Sequence, residues 1–429
     1  MGNTRKFTVK LLTKLDENSS YSNILLDEAL GRSDFDKRDK KFISALFYGV
    51  LERRLTLDAI IAELSKNPKN KLNHTLRNIL RCGLYQLKYM DSVPDNAAVD
   101  ESVELAKKLR NPAASGFANG LLREFIRRDK ALPKAENEIK RLSLEYSCPE
   151  WLVKKWLDEY GKDKFTALLE SSLGQAPTTV RLNNLKGSAE ETLDMFLKEG
   201  MTFERSKYLD YAVNVANAGA IEKTEAFRQG RFHVQDLASQ LCCRNLDPQP
   251  GEIILDLCSA PGGKTFTIAE MMNNEGRVLA FDLHPNRVKL IRSGAERLGL
   301  TCVTADVNNA KVFNSELPAA DRVLVDAPCS GLGVIRRKPE IKYKSPEDFD
   351  RLPMVQYDIL DTASKYVKVG GLIVYSTCTV SRAENDEVIK RFLSEHEAFE
   401  RDGDDFMQTI TPDMYGSDGF FIARLRRRR

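Results

Sequence analysis

The chain has 429 residues, is 42% hydrophobic and 30% charged, and carries a net charge of only +3. At roughly 100–200 residues per domain this length asks for two or three domains, and no stretch approaches the ~18 unbroken apolar residues of a membrane span. The start from Met1 to Lys10 is polar and basic, which does not read as a secretory signal, and the eight cysteines show no C-x-x-C spacing, which suggests neither a zinc site nor a disulfide framework. The expectation is a cytoplasmic protein with reduced thiols, no metal and no membrane partner.

The charge is uneven. Residues 1–150 hold 27 Lys+Arg against 21 Asp+Glu, and the remainder holds 38 against 41. A basic N-terminal third suits a polyanionic partner, although ordinary solvated helix faces would give the same excess. Residues 1–140 read as helices. Apolar residues recur at helical spacing in Phe42, Leu46, Phe47, Val50 and Leu51, and again in Leu76, Ile79, Leu80, Leu84 and Leu87. Lys37, Arg38, Lys40, Lys41, Arg53, Arg54, Arg77 and Arg81 lie between them. The run Asp39-Lys40-Lys41-Phe42, the run Phe47-Tyr48-Gly49, the stretch Ala97 to Ala106 and the run Phe117-Ala118-Asn119-Gly120-Leu121-Leu122-Arg123 together resemble the NusB-like RNA-binding domain. A helical bundle that contacts other proteins is the competing reading.

Lys130 to Lys140, with Pro133, reads as a linker, and residues 141–235 as a small α+β unit. Helices are expected over Val153 to Tyr160, Phe165 to Leu173 and Ala189 to Lys198, with strands at Thr178 to Asn183 and from Met201. Ser147-Cys148-Pro149-Glu150-Trp151, Arg181-Leu182-Asn183 and Phe227 to Asp236 resemble the RNA-recognition-like subdomain and lead-in of RNA cytosine-5 methyltransferases. Cys148 stands where that family more often has histidine.

From 236 to 429 strands alternate with helices, the pattern of a doubly wound α/β sheet. Ile253-Ile254-Leu255 reads as a buried strand, followed by the turn Cys258-Ser259-Ala260-Pro261-Gly262-Gly263-Lys264 and then a helix. Such a turn offers bare backbone N–H groups and a helix N-terminus to a ligand. Gly-Gly-Lys-Thr looks like the end of a phosphate-binding loop, but Cys258 occupies that motif's first glycine and Pro261 stiffens the loop. The next two strands end in Asp282 and Asp306, either turn acids or ligand acceptors. Gly-Gly, Asp and Asp on three successive strand ends suit a nucleoside without polyphosphate and resemble the class I S-adenosylmethionine-dependent methyltransferase fold, a Rossmann-like sheet. That resemblance implies S-adenosylmethionine as cofactor, with Asp282 on the ribose hydroxyls and Asp306 on the adenine amino group.

Strand four is expected at Val323 to Asp326, strand five at Leu372 to Ser376 and a last strand at Gly419 to Ala423. Ser381-Arg382-Ala383-Glu384 reads as a capping box for the helix after it, and Arg426 to Arg429 as a frayed basic tail. Asp326-Ala327-Pro328-Cys329-Ser330-Gly331 and Ser376-Thr377-Cys378-Thr379 each place a cysteine in a turn after its strand, where packing gives little reason for a thiol. A thiolate adding to C6 of cytosine makes C5 nucleophilic, which is covalent catalysis. The two cysteines and Asp326 resemble the RNA cytosine-5 methyltransferases. That resemblance implies Cys378 as nucleophile, Cys329 in adduct breakdown, Asp326 at N3, and Lys264 near cofactor and base. Tyr343, in the basic loop from Arg336, stands where the family usually has tryptophan and would leave an aromatic stacking surface for RNA. The likeness spans nearly the whole chain and implies a monomer acting on 16S ribosomal RNA, at cytosine 967. Another RNA such as tRNA, or a non-catalytic RNA-binding role, stays open.

Overall fold

A computed structural model describes residues 2–17, 22–65, 72–109, 111, 113–217 and 219–429; Met1, which opens the polar N-terminal run, lies outside them. The chain divides into two compact units. One comprises residues 1–174 with 335–344, the other 175–334 with 345–429.

The described part of the first unit is helical: Gly2–Glu17 (α1), Ser22–Gly31 (α2), Lys37–Glu52 (α3), Arg54–Leu64 (α4), His74–Tyr89 (α5), Asp95–Lys107 (α6), Ala113–Arg127 (α7), Glu138–Tyr146 (α8) and Glu150–Ser171 (α9). The apolar residues at helical spacing form its core, with Leu46, Phe47 and Leu80 fully buried. Asp36 caps α3 by accepting from Asp39 N, and Asn73 caps α5 by accepting from Leu76 N. The helices anticipated on either side of Gly161 are the two arms of α9, broken where Gly161 takes φ 68°. Arg81 is no surface cation. It is 2% exposed and donates to Asp16 and Asp58 at 2.7–2.9 Å. Tyr343, expected to leave an aromatic surface, is half-buried, with the Arg54 guanidinium 5.5 Å from its ring. In the first unit, where Pro339–Tyr343 packs on α3, its hydroxyl donates to the carbonyls of Leu51 and Glu52 at 2.9 and 3.0 Å.

The second unit begins with a β-α-β-β-α-β fold: Thr178–Leu182 (β1), Ala189–Lys198 (α10), Thr202–Arg205 (β2), Ala212–Ala216 (β3), Glu225–Arg228 (α11) and Phe232–Val234 (β4). Its antiparallel sheet has the order β2-β3-β1-β4. Buried ties fix it to the larger sheet domain: Arg181 Nε donates to Glu270 at 2.7 Å and Asn183 Nδ2 to the Leu298 carbonyl at 3.1 Å.

The larger sheet follows Leu237–Leu246 (α12). Its elements are Ile253–Asp256 (β5), Gly263–Met271 (α13), Arg277–Asp282 (β6), Pro285–Leu298 (α14), Val303–Val307 (β7), Ala320–Asp326 (β8), Leu352–Ser364 (α15), Val367–Thr377 (β9), Asp386–Glu395 (α16), Phe399–Arg401 (β10), Met407–Ile410 (β11), Pro412–Tyr415 (α17) and Phe420–Arg427 (β12). The order is β10-β12-β9-β8-β5-β6-β7, with β11 also on β12. Strands β5 to β9 pair in parallel, and β12 is antiparallel to β9. The two sheet faces carry separate cores, one around Val278 and Ile291, the other around Val325 and Leu360. The last strand runs further than expected. Arg426 and Arg427 are not a frayed tail: they pair with Leu372 and Phe399, and Arg426 Nε donates to Asp402 at 2.6 Å. Alternation of large apolar residues with arginine carries the strand to Arg427.

Candidate active site

In an open α/β sheet ligands collect where the strand order reverses, outside the C-terminal strand ends. Here the order reverses between β5 and β8. Asp256, Asp282 and Asp326 close β5, β6 and β8, Asp306 is the penultimate residue of β7, and Cys378 follows β9 directly. The anticipated residues are thereby brought to one edge.

The turn after β5 is built by its own hydrogen bonds. Ser259 Oγ donates to the Asp256 carbonyl at 2.7 Å and accepts from Phe281 N at 2.8 Å, locking the turn to β6. The Ala260 carbonyl accepts from Arg287, and the Ala260–Pro261 peptide is cis. Gly262 has φ 111°, and a Cβ there would lie 2.3 Å from the Phe266 ring, so a side chain fits neither sterically nor conformationally. A Cβ on Gly263 would meet nothing closer than 3.8 Å, which leaves room beside the first N–H groups of α13. Cys258 is half-buried, and burial pushes its thiol up, away from the reactive range.

The acids differ in their surroundings. Asp282 is 4% exposed, accepts from His284 N at 3.0 Å and pairs with Arg287 at 3.0 Å. Asp306 is exposed and pairs with Arg292 at 2.6 Å. Asp256, which opens the glycine-turn stretch, is fully buried. Thr265 donates to its Oδ2 at 2.7 Å, while its Oδ1 has no partner among the described residues. Burial, above all, raises its pKa to about 7. A buried, half-satisfied carboxyl beside an open glycine turn fits a ligand bearing a cationic group.

The second cluster holds the thiols. Cys329 Sγ and Cys378 Sγ are 3.3 Å apart, both half-buried. The contact with Cys378, then burial, pushes the Cys329 thiol well above the ordinary thiol range, and the nearby charge of Glu384 adds to the effect. Lys264 Nζ donates to Asp326 Oδ2 at 2.7 Å, and Ser376 Oγ to Asp326 Oδ1 at 2.8 Å. Burial opposes the charge on Lys264, but Asp326 outweighs it, and the ammonium is held above the usual lysine range. The Phe420 ring lies 5.0 Å from the same ammonium.

The expected capping box is absent. Helix α16 starts at Asp386 behind Asn385, with no side-chain cap, and Glu384 turns inward, 2% exposed. There it accepts from Ser330 N at 2.8 Å, Ser330 Oγ at 2.5 Å and Gln356 Nε2 at 2.9 Å. Buried donors from another loop outcompete the helix terminus for this carboxylate, and nothing local in the sequence signals that.

The parallel strand order, the antiparallel final strand, the glycine turn and the acids at the strand ends define a class I methyltransferase, whose cofactor is S-adenosylmethionine. Comparison with known proteins narrows this. A family model described as 16S rRNA methyltransferase RsmB/F matches residues 243–426, the NusB family model matches 2–127, and the ferredoxin-like domain of RsmF/B-like methyltransferases matches 148–222. The chain is 39% identical to the probable ribosomal RNA small subunit methyltransferase B of Bacillus subtilis, over 99% of this chain and 98% of that protein. It is 34% identical to the ribosomal RNA small subunit methyltransferase B of Photorhabdus laumondii, over 99% of each chain. A solved structure described as PH0851 superimposes with a TM-score of 0.85 at 25% identity, over 100% of this chain and 99% of the other. The chain belongs to the ribosomal RNA small subunit methyltransferase B family, whose members are S-adenosylmethionine-dependent.

Proposed function

We propose that the protein methylates C5 of a cytosine in 16S ribosomal RNA, cytosine 967 by the family likeness, through a covalent bond between Cys378 and C6. The observation that carries this reading is the pair of thiols 3.3 Å apart beside the Lys264–Asp326 ion pair. S-Adenosylmethionine, when bound, supplies an electrophilic methyl group. Gly262, Gly263 and the turn from Cys258 to Pro261 would hold it, Asp282 would take its ribose hydroxyls and Asp306 its adenine amino group, and Asp256 and Asp326 would offer carboxylates to its cationic group.

Cys378, as thiolate, attacks C6 of the base. The electron pair moves from the 5,6 double bond toward N3, where the Lys264–Asp326 pair stabilises it. The ammonium is the donor of that pair and Asp326 aims it. C5 then takes the methyl group. Cys329, deprotonated in its turn, takes the C5 proton, and the electron pair of that C–H bond re-forms the 5,6 double bond and expels the Cys378 thiolate from C6. The division of roles is the one the family likeness implies. The base must leave its stack to reach both sulfurs. The protein acts in this reading as a cytoplasmic monomer.

The test is a denaturing gel of protein incubated with 16S RNA and cofactor. Cys378→Ala is expected to abolish turnover and leave no covalent band. Cys329→Ala is expected to accumulate protein joined to methylated RNA. The reverse pattern assigns the nucleophile to Cys329 and overturns the proposal.

A further inference from the structure

The two thiols sit on separate loops, one after β8 and one after β9, and thiols on independent loops do not hold a 3.3 Å separation unaided. The structure shows what spans them. The Glu384 carboxylate accepts the backbone N–H and the hydroxyl of Ser330, next to Cys329. Gln356 Nε2 is shared between Glu384 and the Pro328 carbonyl, at 2.9 Å each, so the other neighbour of Cys329 is tied as well. On the second loop, Ser330 Oγ and Thr379 Oγ1 are 2.8 Å apart, and Thr379 is the residue after Cys378. Tyr375 Oη donates to the Glu384 carbonyl at 2.6 Å, which fixes the backbone of the clamp to β9. Asn385 supports the same loop by donating to the Thr379 carbonyl at 3.0 Å and accepting from Thr377 at 2.6 Å.

We propose that Glu384 is a positioning residue for the reaction: its buried carboxylate clamps the Cys329 turn to the Cys378 turn so that both sulfurs address one base. The inference rests on the two-thiol mechanism above and adds to it the element that keeps the thiols together. A buried carboxylate is costly to desolvate and is retained where its hydrogen bonds are fully used. Here the donors come from α15, from the loop after β8 and from the turn after β9, where Thr379 Oγ1 lies 3.4 Å from the carboxylate, so removing the acceptor cuts the link among all three and leaves Ser330 N without its partner. Most of the ties end on residues flanking Cys329. The step that needs Cys329, adduct breakdown, should suffer more than the attack by Cys378.

The conservative variant separates charge from connectivity. In Glu384→Gln the amide oxygen can accept from Ser330 N and Gln356, while the amide nitrogen donates to Ser330 Oγ, which in turn donates to Thr379. The clamp survives without its charge. Glu384→Ala removes it.

The test uses the full-length protein and two readouts. The first is capture of phenylarsine oxide, a trivalent arsenical. It forms As–S bonds to two adjacent thiols, and the arsenic-bound oxygen leaves as water with the two thiol protons. Cys329→Ala and Cys378→Ala report the background from other cysteines. The second readout is turnover of 16S RNA, split into kcat and KM, with the covalent band followed on a gel. Glu384→Ala is expected to weaken arsenical capture by about tenfold or more as the effective concentration of the paired thiols falls. Its kcat should fall about 100-fold, as expected for a misplacement near 1 Å. KM for RNA and cofactor affinity should hold, and a covalent band should build up. Glu384→Gln should restore capture and most of kcat. Wild-type capture by Glu384→Ala overturns the proposal whatever happens to kcat. Should Glu384→Ala fail to fold, Ser330→Ala and Gln356→Ala each remove one tie, and both capturing like wild type overturns it equally. If Cys329→Ala gives no covalent band, the two-thiol mechanism fails, while the capture series still decides whether Glu384 sets the spacing.

Discussion

At the scale of single residues, the site works by giving similar groups different surroundings. Three aspartates close strands at one sheet edge, yet Asp256 is buried and half-satisfied, Asp282 is buried and paired, and Asp326 takes a lysine and a serine. Asp256, raised to about 7, is partly protonated in the free protein near neutrality. A cationic ligand group brought beside it favours the carboxylate, so cofactor binding near pH 7 should expel protons. Calorimetry in buffers of different ionisation enthalpy checks this. The apparent binding enthalpy should vary with the buffer near pH 7, and the variation should vanish above about pH 9 or in Asp256→Asn. No buffer dependence would place Asp256 outside the cofactor's reach. The motif residues were legible because their chemistry is local: a glycine turn, an acid or a cysteine at a strand end each shows in a few letters. The burial of Asp256 and the partners of Glu384 were not, because both are properties of the fold.

At the scale of elements, the thiol turn is fixed by backbone crossings as well as by Glu384. Gly333 N donates to the Cys378 carbonyl at 3.0 Å, and Gly419 N donates to the Gly333 carbonyl at 2.8 Å. A Cβ on Gly333 would fall 2.0 Å from the Gly419 carbonyl oxygen and 2.8 Å from that of Cys378. Gly333→Ala should cost roughly 1–3 kcal/mol of stability by overpacking and reduce kcat more than cofactor affinity; calorimetric melting and turnover read the two. A variant with full activity would show that the Cys378 turn tolerates displacement. Elements marked by strong periodicity or by caps were readable in the sequence, and α10 spans Ala189–Lys198 as expected. The short strands β3 and β4 were not, because three to five residues without strict alternation carry no period. The capping motif at Ser381 to Glu384 misled for a physical reason: the pattern records a donor and an acceptor at the right spacing, and a tertiary donor can take the acceptor away.

At the scale of the whole molecule, the basic excess of the N-terminal third resolves into cations of different kinds. Arg81 is buried and internally paired, whereas Lys37, Arg38 and Lys41 are exposed at the start of α3. If these neutralise RNA phosphates, Lys37→Glu with Lys41→Glu should weaken RNA binding and lower the slope of log affinity against log salt by about 0.7–0.9 for each phosphate no longer neutralised. An unchanged slope would remove α3 from the RNA face. Lys342 makes a different kind of prediction. It is fully buried, its ammonium has no hydrogen-bond partner among the described residues, and burial lowers its pKa to about 8. The folded state releases this proton before the unfolded state does, so stability should rise as pH goes from about 8 toward 10.5 and be penalised below 8. Lys342→Met should melt higher than wild type at pH 7, with the gap closing above about pH 10. Lys342 also sets an order of assembly. It belongs, with Tyr343, to the segment 335–344 that completes the first unit, although residues 175–334 come between. On a translating ribosome the N-terminal helices emerge first, but the place filled by Lys342 and Tyr343 stays vacant until the chain beyond residue 344 has left the exit tunnel. By then every strand from β1 to β8 has been synthesised. The domain that begins the polypeptide is thus finished late, and a nascent chain stalled short of residue 344 would hold its first unit open to proteases and chaperones.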